Sequence, residues 1–158
     1  MPGENYYLRQ FLDDNYDDAE HRAYFSDWTE PVRVATAMGK RFERVRVVPD
    51  ELTPYLRLEL RWNRYNAEAG EDVRYLRRSA ANKLDLPAQD FWIFDGERLA
   101  LMYFTADHRL LGADLVTDPV IVARHDRWLD MAMCHAIPYV EYLAADPTRE
   151  LPPRPTGE

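Results

Sequence analysis

Apolar residues recur along this chain in two rhythms, one helical and one alternating, and the switches between them divide it into elements. Leu8, Phe11, Leu12, Tyr16 and Ala19 follow spacings of three and four, the mark of one helix face. The run Asp13-Asp14-Asn15-Tyr16-Asp17-Asp18 interrupts that face. It predicts a short helical arm, an acidic break, and a helix over 17–27 that Asp17 or Asp18 caps. Gly39 closes the next segment, and 41–48 then alternates, with Val45 and Val47 on one face and Arg44 and Arg46 on the other. That pattern predicts a half-buried strand, ended by Pro49.

Thr53-Pro54 reads as an N-cap followed by proline at the first helical position. The segment 53–63 after it is ambiguous. Leu56, Leu58, Leu60 and Trp62 alternate as in a strand, yet Tyr55, Leu58, Glu59 and Trp62 share a helix face. Good helix formers dominate and β-branched residues are absent, so a helix is expected. Asn66 to Gly70 ends it, and 73–77 reads as a short strand.

The clearest signal is Phe91-Trp92-Ile93-Phe94, then Asp95-Gly96, then a second apolar run to Phe104. Asp-Gly between two such runs is a hairpin turn. A further turn at 106–109 leads to a third strand over 110–116, so 90–116 predicts an antiparallel meander, placed at the centre of a mixed sheet. Its first two strands are apolar on both faces, which calls for cover on both sides. Asp118-Pro119 repeats the cap-then-proline signature before a helix over 119–136, with Ile121, His125, Trp128, Leu129 and Ala132 as its inner face. Pro138 ends that helix, and a last turn follows at 139–143. The expected fold class is therefore α/β (α+β): a single domain with a mixed sheet and a three-strand meander flanked by helices. The expected organisation is an N-terminal helical arm over 1–28, a core over 29–145, and a flexible Pro-rich tail over 146–158.

Composition narrows the function. A chain of 158 residues, 46% hydrophobic and 30% charged, is long enough for one well-packed domain. A net charge of −8 argues against direct nucleic-acid binding and against docking to an anionic membrane. The sequence offers no apolar run of membrane-spanning length and no signal-peptide pattern at its start, so a cytoplasmic location is expected. The charge is uneven: −6 over 1–30, +4 over 31–80 and −6 over 81–158. A basic middle between acidic ends suits internal ion pairing, or a partner surface.

Catalytic signatures are sparse. Cys134 is the single cysteine, which excludes an internal disulfide and a cysteine-built zinc site. Its place late in a helix disfavours a thiolate. His21, His108, His125 and His135 lack metal-ligand spacing. The acidic run lacks the glycine and the final glutamate of a calcium loop. No glycine-rich phosphate loop or Gly-x-Ser-x-Gly occurs, so neither a metal nor a cofactor is expected. Two groups remain. Arg57, Glu59, Arg61 and Trp62 with Glu71, Asp72 and Arg74 gather around the turn near 66–72, either as a salt-bridged surface or as a polar pocket for a small charged ligand. Trp92, with Tyr24, Trp28, Trp62, Tyr103 and Trp128, belongs to an aromatic set that is core or lines a ligand cavity.

Longer strings carry a resemblance. Arg44-Val45-Arg46-Val47-Val48, Tyr55-Leu56-Arg57-Leu58-Glu59-Leu60 and Ala69-Gly70-Glu71-Asp72-Val73-Arg74-Tyr75-Leu76 are joined by Asp90-Phe91-Trp92-Ile93-Phe94-Asp95, Gly112-Ala113-Asp114-Leu115 with Asp118-Pro119, and Ala136-Ile137-Pro138-Tyr139-Val140-Glu141-Tyr142. Over about residues 20–143 the chain resembles an actinobacterial family of small proteins known only as a domain of unknown function. Its members are often encoded beside helix-turn-helix regulators of the XRE type. The resemblance implies a regulatory or accessory setting and supplies no catalytic residues. The hairpin around Asp95-Gly96 and the helix after Asp118 are more weakly similar to a half-domain of the phospholipase D superfamily, but the His-x-Lys of that chemistry is missing.

Two functions are thus expected. The first is a non-enzymatic regulatory module that binds a helix-turn-helix regulator or another protein, with a small ligand and a homodimer both open. The alternative is a small enzyme acting on a charged or aromatic metabolite. Glu59, Glu71 or Asp72 would be its acid or base, and Arg57, Arg61 or Arg74 would orient an anionic group.

Overall fold

The structure, a computed structural model, describes residues 3–154. It has a mixed α/β architecture, and its described residues group into two compact units: the chain up to Arg78 with the segment from Ala136 onward, and Ser79–His135.

The first unit opens with α1 (Glu4–Leu12) and α2 (Asp18–Ala37). Asp17 caps α2, accepting from the amides of Ala19 at 2.9 Å and Glu20 at 3.1 Å. The helix does not stop near residue 27. It runs on through Pro31, because Thr29 and Val32 are buried and that burial outweighs the backbone bond a proline removes. The boundary expected at 28/29 therefore falls inside α2.

β1 (Glu43–Val48), α3 (Pro54–Glu68) and β2 (Asp72–Arg77) form a β-α-β crossover, with β1 and β2 parallel in the register Val45↔Arg74 and Val47↔Leu76. A two-residue strand, β6 (Ile137–Pro138), adds antiparallel to β2. The expected helix at 53–63 is present and longer, and Thr53 caps it by accepting from the Leu56 amide at 3.2 Å.

α3 is buried on two sides. Leu60 packs with Val48, Val73, Tyr75, Tyr139 and Tyr142. Leu58, Trp62 and Tyr65 pack with Tyr7 and Phe11 of α1. α6 (Tyr139–Ala145) closes the unit, with Tyr142 stacked on Tyr75 at 4.4 Å. Instead of a loose tail from 146, Pro147–Glu150 forms a 3-10 turn capped by Asp146. Arg57 anchors it by donating to the carbonyls of Thr148 at 2.9 Å and Leu151 at 3.4 Å. Residues 155–158 of the expected tail lie outside the described residues.

The second unit holds the meander, β3 (Phe91–Phe94), β4 (Arg98–Phe104) and β5 (Leu110–Val116), after the short helix α4 (Arg78–Lys83). Asp95 and Gly96 both have positive φ, as the hairpin turn requires. The three strands form a sheet of their own and are not the centre of the mixed one.

α5 (Pro119–His135), capped by Asp118, packs on the face that carries Phe91 and Leu99. The His125 ring meets Phe91 edge-on at 4.8 Å. The buried stripe of α5 is Val122, His125, Ala132 and Met133; Ile121 is exposed, because the stripe is rotated from the expected one. Two-sided burial of the meander is not realised. Trp92, Phe94 and Leu115 share the opposite face by register and are 36%, 48% and 67% exposed.

Candidate functional site

The candidate site is a cleft of about 110 Å³ in the first unit. α3 supplies Glu59, Trp62, Asn63 and Asn66 on one side, with Tyr55 a turn earlier. β1 supplies Arg44 and Arg46, while Phe25 of α2 and Glu4 of α1 complete the lining. A crossover helix packs against its sheet. Here the face of β1 turned to α3 is the one bearing the arginines and Val48, not Val45 and Val47.

Both arginines of the cleft are paired with carboxylates. Arg46 donates to Glu59 Oε1 at 3.1 Å. Arg44 Nε donates to Glu71 Oε1 at 2.5 Å, and Trp28 Nε1 donates to the other Glu71 oxygen at 3.4 Å. Glu71 is buried and fixes the start of β2 against β1 and α2. Tyr55 donates to the exposed Glu4 at 2.9 Å. Burial pushes the Glu59 carboxyl above its ordinary range, and the Arg46 guanidinium pulls the other way.

Two residues lining this cleft, Asn66 and Arg46, each carry a buried polar atom without a partner. Asn66, 5% exposed, donates to Asn63 Oδ1 at 3.0 Å, and Asn63 donates to the Tyr75 hydroxyl at 2.5 Å. The buried Asn66 Oδ1 accepts no hydrogen bond, and the buried Arg46 Nε donates none. Buried polar atoms are nearly always satisfied, so a pair left open in one cleft asks for a reason.

Beneath Trp62 lies a second polar cluster. Trp62 Nε1 donates to His21 Nδ1 at 2.7 Å, and His21 Nε2 meets Gln10 Oε1 at 3.1 Å. With Nδ1 accepting, the ring is the neutral Nε2–H tautomer. Burial holds its pKa below the ordinary 6.5. Nearby, the Tyr16 and Tyr65 hydroxyls share a 2.5 Å hydrogen bond, and Tyr65 donates to Asp18 at 3.0 Å. These contacts fasten α1 and α2 to α3.

Of the residues that the sequence singles out, Glu59 and Trp62 line the cleft, and Glu71 stands behind it through Arg44. Arg57 holds the C-terminal turn. Arg61 lies over the Tyr16 ring at 3.8 Å. Asp72 and Arg74 pair with each other on β2 at 2.8 Å. Trp92 belongs to the second unit. Arg44, Arg46, Asn63 and Asn66 escape sequence reasoning. Their signal is two arginines two apart on a strand next to a helix carrying glutamate and paired asparagines. Among the described residues, no three His, Cys, Asp or Glu side chains are placed to share a metal ion.

Fold and site together define a mixed α/β protein with a small, polar-lined cleft between a crossover helix and its sheet. The chain belongs to the family described as a domain of unknown function, DUF6879, which matches residues 1–144. It has no significant match among curated proteins or solved structures. No helix among the described residues is long and apolar enough to cross a membrane.

Proposed function

We propose that this chain is a non-enzymatic accessory module of the cytoplasm that binds a small molecule in the α3–β1 cleft and passes that state to a protein partner. The observation that carries the ligand reading is the cleft itself, with a buried, unpartnered Asn66 Oδ1 beside an aromatic wall. Of the carboxylates and arginines that an enzyme reading would use, only Glu59 lines the cleft, and it is engaged by Arg46. This favours binding over acid–base catalysis.

The partner is proposed to be a helix-turn-helix regulator of the kind encoded beside actinobacterial relatives. A net charge of −8 suits a basic DNA-binding protein, and the exposed Trp92, Phe94 and Leu115 offer an apolar contact for it or for a second copy of the chain. The weak sequence resemblance of the hairpin around Asp95-Gly96 and the helix after Asp118 to a phospholipase D half-domain lends no phosphoryl transfer, because no His-x-Lys is present.

Saturation-transfer NMR with a set of single-ring molecules tests the ligand reading. Binders lost in Trp62→Leu and retained in Trp92→Leu are expected. A set with no binders, or with binders indifferent to Trp62, would overturn it.

A further inference from the structure

Resting on that ligand reading, we propose that the cleft is built for a neutral, single-ring molecule bearing both a hydrogen-bond donor and an acceptor, an aromatic carboxamide being the simplest case. Three observations define the class. The first is size. Cavities of about 150 Å³ hold benzene, and this one, open on one side, encloses about 110 Å³, so one ring is the limit. Its wall, Trp62 and Phe25, is aromatic and suits a planar ligand.

The second is charge. Both arginines of the cleft are committed to carboxylates, Arg46 to Glu59 and Arg44 to the buried Glu71. The remaining carboxylate, Glu4, is exposed and already accepts from Tyr55. An anionic ligand would surrender its hydration without finding an uncommitted cation, and a cationic one would find only the exposed, solvated Glu4, which a half-buried site does not repay.

The third is polarity. The unpartnered atoms, buried within two lining residues, are one acceptor, Asn66 Oδ1, and one donor, Arg46 Nε, which a ligand meets once these side chains turn toward it. An N–H from the ligand on Asn66 Oδ1 would complete the relay Asn66–Asn63–Tyr75, whose other links are already made. A ligand carbonyl matches the Arg46 Nε–H. A carboxylate lacks the donor and an amidinium lacks the acceptor, so the same atoms that select polarity also reject charge.

Calorimetric titration of the unmodified chain with benzamide, benzoate, benzamidine and acetophenone separates these elements, because the four probes share a ring and nearly a shape. Benzamide is expected to bind tightest. Benzoate and benzamidine should each be weaker by about tenfold or more, and acetophenone, which keeps the carbonyl but lacks the N–H, by about tenfold. Benzoate or benzamidine binding tightest would overturn the neutral class while leaving the cleft a ligand site. Acetophenone equal to benzamide would overturn the role of Asn66 Oδ1. Heat from none of the four would overturn both this inference and the ligand reading beneath it.

Discussion

Gly70 shows how one residue fixes the geometry on which the cleft depends. It ends α3 at φ +102°, and a Cβ there would lie 2.6 Å from Thr36 Oγ1, which itself donates to the Ala69 carbonyl at 2.9 Å. The turn it makes delivers Glu71 to Arg44 and Trp28. Gly70→Ala should therefore cost about 1–3 kcal/mol in urea denaturation, from backbone strain and the clash together. Adding Thr36→Ala should restore only part of the loss, since it removes the Oγ1 and Cγ2 contacts but keeps the Cβ at 3.0 Å and the backbone strain.

His21 predicts a pH dependence at the same scale. Burial lowers its folded-state pKa below 6.5, so as pH falls the unfolded chain takes up the proton first. Its contribution is fully present above about pH 6.5 and is lost as pH falls from there toward the lower folded value. Glu59, whose folded pKa is raised, acts in the opposite sense, with stability declining as pH climbs above 4.5. Denaturation of the parent and of His21→Gln at pH 7.5 and 5.5 separates the two. The parent should lose more stability on acidification than the variant, and an equal loss in both would refute a buried neutral His21.

At the scale of elements, exposure ranks the strands and helices by what they contribute. Leu99 of β4 is fully buried, so Leu99→Ala should cost about 2–5 kcal/mol. Trp92 on the opposite face of that sheet is 36% exposed, and Trp92→Ala should cost less, about 1–2 kcal/mol. Thermal melts of the two variants check the order.

The meander is legible in the sequence because its signal is local: apolar runs around Asp95-Gly96. The capped starts of α3 and α5 are legible for the same reason. α3 looks strand-like because Leu58 faces α1 while Leu60 faces the Val48–Val73–Tyr75 cluster, and burial on two sides of a helix can mimic alternation. Pro31 hides the second half of α2, since long-range burial of Thr29 and Val32, which nothing local shows, sustains the helix there. Glu59 and Trp62 stand out as cleft residues because they share a helix face. Arg44 and Arg46 read as an outward strand face, because nothing local shows that the crossover helix covers the arginine side of β1.

For the molecule as a whole, the two units divide the tasks. The first holds the paired charges and the cleft; the second carries the exposed apolar strand face. The basic stretch over 31–80 is consumed largely inside the first unit, where Arg44, Arg46 and Arg64 meet Glu71, Glu59 and Asp18. That pairing leaves the acidic surplus of the chain available to a basic partner, so the proposed association with a helix-turn-helix regulator should weaken as salt rises.

If the α3–β1 cleft, and no aromatic surface elsewhere, receives the ligand, the four tryptophans report it directly. Trp28 and Trp62 lie in the first unit, and Trp92 and Trp128 in the second. In a nitrogen-15 spectrum of the indole N–H groups, assigned by single Trp→Phe variants, benzamide should shift the Trp62 signal, whose N–H is bound to His21, and leave those of Trp92 and Trp128 in place. A Trp62 signal unmoved at saturating benzamide, with Trp92 shifting instead, would contradict a ligand site in the cleft.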